Sequence, residues 1–354
     1  MKEVELLESL PSALESCLRN VPESSIKSVK REVSYPNGMI ADLVVSLRVL
    51  GQARTLVVEA KATGQPKRAR EAVDQLNRLM LTQTIRNAFP VFAAPFISDV
   101  AAAICRESNV SFFDLAGNCW LSLEDVYVER VSPQNPYKEK RDSVALFSPK
   151  SSRVLRTLLN EPKRKWQVQQ LSKTAEVSIG LVSKLKRALE EREWVATGSE
   201  GIELVEPEAM LLAWADAYSY KQNGVSEFYS LESVADAEVS VAAWCREDGV
   251  LYALTGFSGA RLSSPRVRYS RASIYVSSRV DSLALNTQLK PVDSGGNVLI
   301  LKPYDEGVFS GSQTRYDLRT VSPIQLFLDV KSMAGRGEEA AEEILVRELR
   351  PSWQ

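Results

Sequence analysis

Two acids and an amine, Asp42, Glu59 and Lys61, interrupt or end apolar stretches of the chain. Leu56, Val57 and Val58 run directly into Glu59, Ala60 and Lys61. Side chains on a strand alternate with a period of two, so a strand through this stretch points Glu59 and Lys61 to one face. An acid and an amine at the end of an apolar strand cost desolvation unless they find partners. The nearest candidate is Asp42, carried by the apolar run from Ile40 to Val45. Two carboxylates and a lysine suit a divalent cation and a phosphodiester. The cation neutralises phosphate charge and acidifies a water, and Lys61 adds positive charge beside the transition state. The plainer alternative is a solvated salt bridge between Glu59 and Lys61 at a sheet edge.

Composition narrows the chemistry further. The chain has no histidine, which removes Ser-His and Cys-His catalysis, histidine zinc sites and histidine general bases together. Cys17, Cys105, Cys119 and Cys245 are scattered without a Cys-x-x-Cys pair, so neither a zinc ribbon nor a disulfide framework is indicated. A net charge of -1 gives no overall pull toward nucleic acid, so any DNA footprint has to be local. No apolar run approaches the roughly 20 residues that span a bilayer, and the acidic, amphipathic start is unlike a signal peptide. The expectation is a cytoplasmic, bacterial-type protein with no membrane partner. At 354 residues, the chain is too long for one ordinary core, so two or three domains are expected.

The elements that must position the triad are readable in order. Leu6, Leu7, Leu10, Leu14 and Leu18 recur at helical spacing. Strands follow at Ile26 to Val33, Met39 to Leu50 and Arg54 to Ala60, the first two joined by a turn at Tyr35 to Gly38. A helix from about Lys67 to Asn87 carries Lys67, Arg68, Arg70, Arg78 and Arg86 on its flanks. Then come a strand from Pro90 to Ala94, a helix from Asp99 to Glu107 and a strand from Val110 to Asp114. The stretch Phe113 to Asn118 is either a second polar cluster or a plain strand-turn-strand link, and the link is preferred.

This order, with Asp42 and Glu59-Ala60-Lys61 on two of the strands, resembles the PD-(D/E)xK, or restriction-endonuclease-like, nucleases over roughly the first third of the chain. The resemblance implies that Asp42 and Glu59 hold Mg²⁺ and that Lys61 orients or activates the attacking water. Gln75 lies where many members carry a glutamine on the following helix. Ala41 stands where the motif has proline. Folds of this kind also persist as DNA-binding or structural modules without turnover.

Residues 131–150 are polar and proline-bearing and read as a linker. Beyond them, helices are expected from Ser151 to Leu159, from Trp166 to Ser172 and from Ile179 to Arg192, with Ser178 as the cap of the third. Two short strands around Gly198 to Gly201 complete a winged helix-turn-helix over 151–220, and the segment from Gln169 to Glu191 resembles that of bacterial regulators. From Ser151 to Glu200 there are ten Lys and Arg against six Glu. Val182, Leu185 and Leu189 face inward in this reading, leaving Ser178, Ser183, Lys184, Lys186 and Arg187 for double-stranded DNA. Lys67 and Arg68 are added as DNA contacts from the first domain.

The remainder, 221–354, is expected to be an α+β domain, with strands at Val239 to Cys245, Val250 to Thr255, Ser273 to Val276 and Val298 to Leu301. A charged helix from Glu338 to Leu349 closes it, Gly335 to Gly337 forming the hinge, and Asp305 with Glu306 reads as a solvated loop. Its glycine-bearing segments, among them Leu254 to Phe257, Pro303 to Phe309 and Gly335 to Ala341, resemble the AbiEi-like type IV antitoxins. That resemblance implies promoter binding by the winged helix and a cognate toxin as partner, although the usual family has no nuclease-like domain in front. The architecture expected is thus α/β and multidomain, with a mixed-sheet nuclease-like domain over 1–130, and a homodimer is left open. Three functions compete: a DNA-targeted, Mg²⁺-dependent endonuclease, an antitoxin-type repressor with a non-catalytic first domain, and a protein-binding adaptor.

Overall fold

The computed structural model describes residues 3–35, 38–81, 87–131, 146–263 and 269–354. Pro36 and Asn37 of the expected turn, the end of the expected helix at 82–86 and most of the linker lie outside these residues. The chain divides into two compact units: residues 1–143 with Glu190–Glu193, and Val144–Leu189 with Trp194–Gln354.

The first unit is built on one seven-stranded mixed sheet whose strands lie in chain order. They are β1 (Ser25–Ser34), β2 (Ile40–Val49), β3 (Gln52–Ala60), β4 (Ala88–Ala94), β5 (Ser111–Asp114), β6 (Cys119–Leu123) and β7 (Val126–Arg130). β1 to β3 form an antiparallel meander, β3 to β5 run parallel, and β5 to β7 are antiparallel again. Parallel neighbours need a crossover, supplied by α2 (Pro66–Met80) and α3 (Asp99–Glu107). Alternation along the strands sorts their side chains between two cores. Leu43, Val45, Leu56 and Val58 meet Leu6, Leu10 and Leu14 of α1 (Glu3–Leu18). Val44, Val57 and Phe92 meet Ala69, Val73 and Leu76 of α2 on the other face.

The second unit begins with α4 (Pro149–Asn160), α5 (Val168–Thr174) and α6 (Ile179–Glu191), followed by the hairpin β8 (Val195–Gly198) and β9 (Gly201–Leu204). Trp166 bridges Ile202 in both directions at 2.8 Å, adding a third short rung to the hairpin. Gly201 allows this approach: it sits at φ +122°, and a Cβ there would lie 2.5 Å from the Trp166 carbonyl oxygen. A helix α7 (Pro207–Ala217) follows, which the apolar pattern did not single out.

A second seven-stranded mixed sheet is formed by β10 (Gly224–Tyr229), β11 (Tyr252–Leu254), β12 (Ala272–Val276), β13 (Lys290–Pro291), β14 (Val298–Lys302), β15 (Gln313–Arg315) and β16 (Leu318–Thr320). Helices α8 (Val234–Glu247) and α10 (Val280–Asn286) share a core with one face of it, and α9 (Gly256–Ser263) lies between them in the chain. Leu299 and Leu301, on the other face, share a continuous core with α4 to α7, α11 (Pro323–Lys331) and α12 (Gly337–Ile344).

One strand expectation is overturned. Val239 to Cys245 lies inside α8. Val239 and Val241 imitate strand alternation, but Ala237, Val241 and Cys245 are buried at a spacing of four, and Ser233 caps the helix by accepting from the Asp236 amide. Gly335, at φ +83°, precedes α12 as the expected hinge does.

Candidate functional site

The end of β3 carries the first candidate. Leu43 lies opposite Val58, so Asp42 and Glu59 come next along the paired strands. Glu59 lies two residues beyond Val57, whose side chain packs on the α2 face, and Lys61 two beyond Glu59. Asp42, Glu59, Lys61 and Gln75 of α2 are brought together as one polar group. Lys61 Nζ donates to Glu59 Oε1 at 2.5 Å, and Gln75 Nε2 donates to Glu59 Oε2 at 2.8 Å. The Ala60 amide donates to Asp42 Oδ2 at 2.7 Å. Gln75 also reaches the Ile40 carbonyl at 3.3 Å, tying α2 to the start of β2.

The electrostatics are those of a buried acid with a second acid nearby. Glu59 is 3% exposed, Lys61 and Asp42 half-buried. Burial pushes the Glu59 carboxyl up to about 7; the hydrogen bond from Lys61 pulls it down, and the Asp42 charge pushes it up again. This is not the solvated edge pair of the plainer alternative. Among the described residues no group of three or more His, Cys, Asp or Glu is gathered for a metal. The donors are therefore two carboxylates, an all-oxygen set of the kind that suits Mg²⁺ or Mn²⁺ with waters completing the shell. A cation there would offset both the burial that chiefly raises Glu59 and the Asp42 charge that adds to it, so the residues present fit the group.

Lys67 and Arg68 stand in the first turn of α2, about two helical turns before Gln75. Both are half-buried, and Arg68 Nη1 donates to Glu71 at 2.8 Å, so its guanidinium is committed within the protein.

The second candidate is α6. Ser178 caps it, its hydroxyl accepting from the Leu181 amide at 3.2 Å. Val182, Leu185 and Leu189 are buried, as the helical spacing requires. Lys184 and Arg187 are exposed, whereas Ser183 and Lys186 are half-buried and Lys186 is engaged within the protein. Beside the cap runs an open groove lined by Lys150, Gln169, Lys173, Ser178 and Ile179. Lys150 and Lys173 were not picked out from the sequence; they lie on α4 and α5, two elements and one element before α6, and only folding brings them alongside it.

Two further polar features were misjudged. Asp305 is not in a solvated loop: its side chain is 7% exposed and accepts from Arg153 Nε at 2.7 Å and from the Gly307 amide at 2.8 Å. Asp329 and Arg156, both fully buried, went unnoticed. Asp329 accepts from Tyr218 and Thr255 at 2.5 Å and from Tyr275 and Gln325 at 3.0 Å. Arg156 donates to Gln325, Tyr304 and Ser152 and lies over the Trp214 ring. The available signal was Gln325 and Asp329 four apart in an otherwise apolar helix.

No helix among the described residues is long and apolar enough to cross a membrane. No curated protein matches the chain. Among solved structures, a crystal structure of a repair endonuclease from Pyrococcus abyssi is similar at 15% identity and a TM-score of 0.24. The match covers 32% of this chain and 47% of that one, a little under half of its length. Residues 203–350, which carry the second sheet and its helices, match the family model of the transcriptional regulator, AbiEi antitoxin, type IV TA system.

Proposed function

We propose that this is a double-stranded DNA-binding protein whose first unit, of restriction-endonuclease-like fold, carries a Mg²⁺- or Mn²⁺-dependent phosphodiester-cleaving site. The observation that carries the reading is the convergence of Asp42, Glu59, Lys61 and Gln75 on one sheet face around a buried acid raised to about 7. Asp42 and Glu59 would hold the cation, which supplies charge neutralisation at the phosphate and an acidified water. Lys61 is partly exposed at the strand end and brings a positive charge to the substrate side, with Glu59 holding its ammonium in place. Gln75 fixes the other Glu59 oxygen and keeps the carboxylate from turning away.

In the same reading α4 to α6 and the β8–β9 hairpin act as a winged helix-turn-helix. The rung between Trp166 and Ile202 and the cap at Ser178 support this. Lys184 and Arg187 then reach phosphates or base edges in the major groove, with Lys150 and Lys173 along the backbone. A cytoplasmic setting goes with this reading. A second reading, an antitoxin-type repressor with a cognate toxin and a non-catalytic first unit, is favoured by the family match over 203–350 and by the core that this region shares with the helical trio.

Incubation with supercoiled and linear DNA, with Mg²⁺ or Mn²⁺, together with retardation of promoter fragments separates the two. Cleavage by the wild type that is lost in Lys61→Ala supports the nuclease. Retardation of one fragment without cleavage of any substrate overturns it in favour of the repressor.

A further inference from the structure

Asp114 ends β5 with its carboxylate completely buried, and neither reading of α6 nor the strand-end quartet uses it. A buried carboxylate is costly, so its partners indicate what it holds. Oδ1 accepts from the Asn118 amide at 2.9 Å; Oδ2 accepts from Asn118 Nδ2 at 2.7 Å and from the Ile97 amide at 3.0 Å. The Asn118 contacts close the β5–β6 turn. The Ile97 contact reaches out of that turn to the loop following β4.

Ile97 and its neighbours lie against Gly64, three residues past Lys61. Gly64 and Ile97 form a parallel bridge, and the Ser98 amide donates to the Gly64 carbonyl at 2.9 Å. The approach is so close that a Cβ on Gly64 would sit 2.2 Å from the Phe96 carbonyl oxygen. The Lys61 amide donates to Ala93 at 3.0 Å, so residues 61 to 64 are held along the β4 side from both ends. Gln65, the next residue, stands at the N-cap position of α2, the helix that delivers Gln75 to Glu59. The short connection from Lys61 to Gln65 therefore sets how the two halves of the quartet meet.

We propose that Asp114 is a positioning residue for the strand-end site: through Ile97 and Gly64 it latches the connection between Lys61 and α2, and so aligns Lys61 and Gln75 on Glu59. The catalytic part of this statement rests on the nuclease reading above; the latch itself does not.

The test uses the full chain with two variants that disturb the latch from opposite sides. Asp114→Asn keeps the volume and removes the charge, and its amide can accept from only one oxygen. Gly64→Ala drives a methyl group into the Phe96 carbonyl. Hydrogen exchange is followed at the Lys61 and Ser98 amides, with those of Val44 and Val45 in β2, a strand paired on both sides, as internal references. Cleavage kinetics in Mg²⁺ are measured alongside. The expected result in both variants is exchange about tenfold faster or more at Lys61 and Ser98 with the references unchanged. It is joined by a fall in kcat of about tenfold or more with KM for DNA near wild type. Unchanged exchange at those two amides overturns the latch, and faster exchange with unchanged kcat overturns the positioning role. Should the wild type cut no DNA, the nuclease reading fails and the catalytic role with it, while the exchange data still decide the latch.

Discussion

Glu59 in the first unit and Asp329 in the second are both carboxylates sealed from water, yet their surroundings differ in kind. Asp329 is enclosed by Tyr218, Tyr275, Thr255 and Gln325, which give each oxygen a donor, and burial raises its carboxyl from the usual range. Glu59 has as neighbours a second acid, a partly exposed lysine and a glutamine from another element. The first arrangement is complete without a ligand. In the second a like charge is left close by, and a positive group stands at the boundary with solvent. Burial of an acid is thus not itself a sign of chemistry; what the acid shares its space with decides.

Mutation separates the two most sharply through stability. Asp329→Ala leaves three buried hydroxyls and the Gln325 amide without their acceptor, and should cost the second unit about 3 kcal/mol or more by denaturant unfolding. Glu59→Gln should act with the opposite sign. The Glu59 carboxyl is raised in the folded protein, from 4.5 to about 7, so its contribution is fully present below the unfolded value and is lost as pH rises through the folded one. Unfolding of Glu59→Gln at pH 8 should accordingly exceed the wild type by up to about 3 kcal/mol, with the advantage vanishing near pH 4. An Asp329→Ala variant as stable as the wild type, or a Glu59→Gln gain that ignores pH, breaks the contrast.

Activity gives the next effect in size. Lys61→Ala should lower Mg²⁺-dependent cleavage about a hundredfold or more while circular dichroism stays near wild type. Substitutions on α6 give the smallest. Lys184→Ala with Arg187→Ala, the two exposed cations of that helix, should weaken duplex binding several-fold and reduce the slope of log affinity against log salt by about 2. An unchanged slope removes α6 from the DNA surface.

The same contrast accounts for what was legible in the amino-acid order. Glu59 and Lys61 could be assigned to one face because strand alternation is local, and Asp42 could be paired with them because a short turn joins β2 to β3. Val182, Leu185 and Leu189 were readable in the same way from helical spacing. Val239 and Val241 misled because two β-branched residues alternate inside what packing makes a helix, where local propensity yields to the core. Asp114 sits in the expected strand-turn-strand link, but its tie to Ile97 crosses to another loop. Asp305 and Asp329 find their partners in Arg153 and Tyr218, more than a hundred residues away, and no local pattern carries that information.

The central claim is that Asp42 and Glu59 form a divalent-cation site, and calorimetric titration of Mn²⁺ into the wild type and Asp42→Asn at pH 8, without DNA, tests it most directly. Asparagine keeps an oxygen for the Ala60 amide and removes only the charge. The account predicts one saturable site in the wild type, weakened about tenfold or more in the variant. Absence of saturable binding in the wild type, or equal affinity in the two proteins, would contradict it.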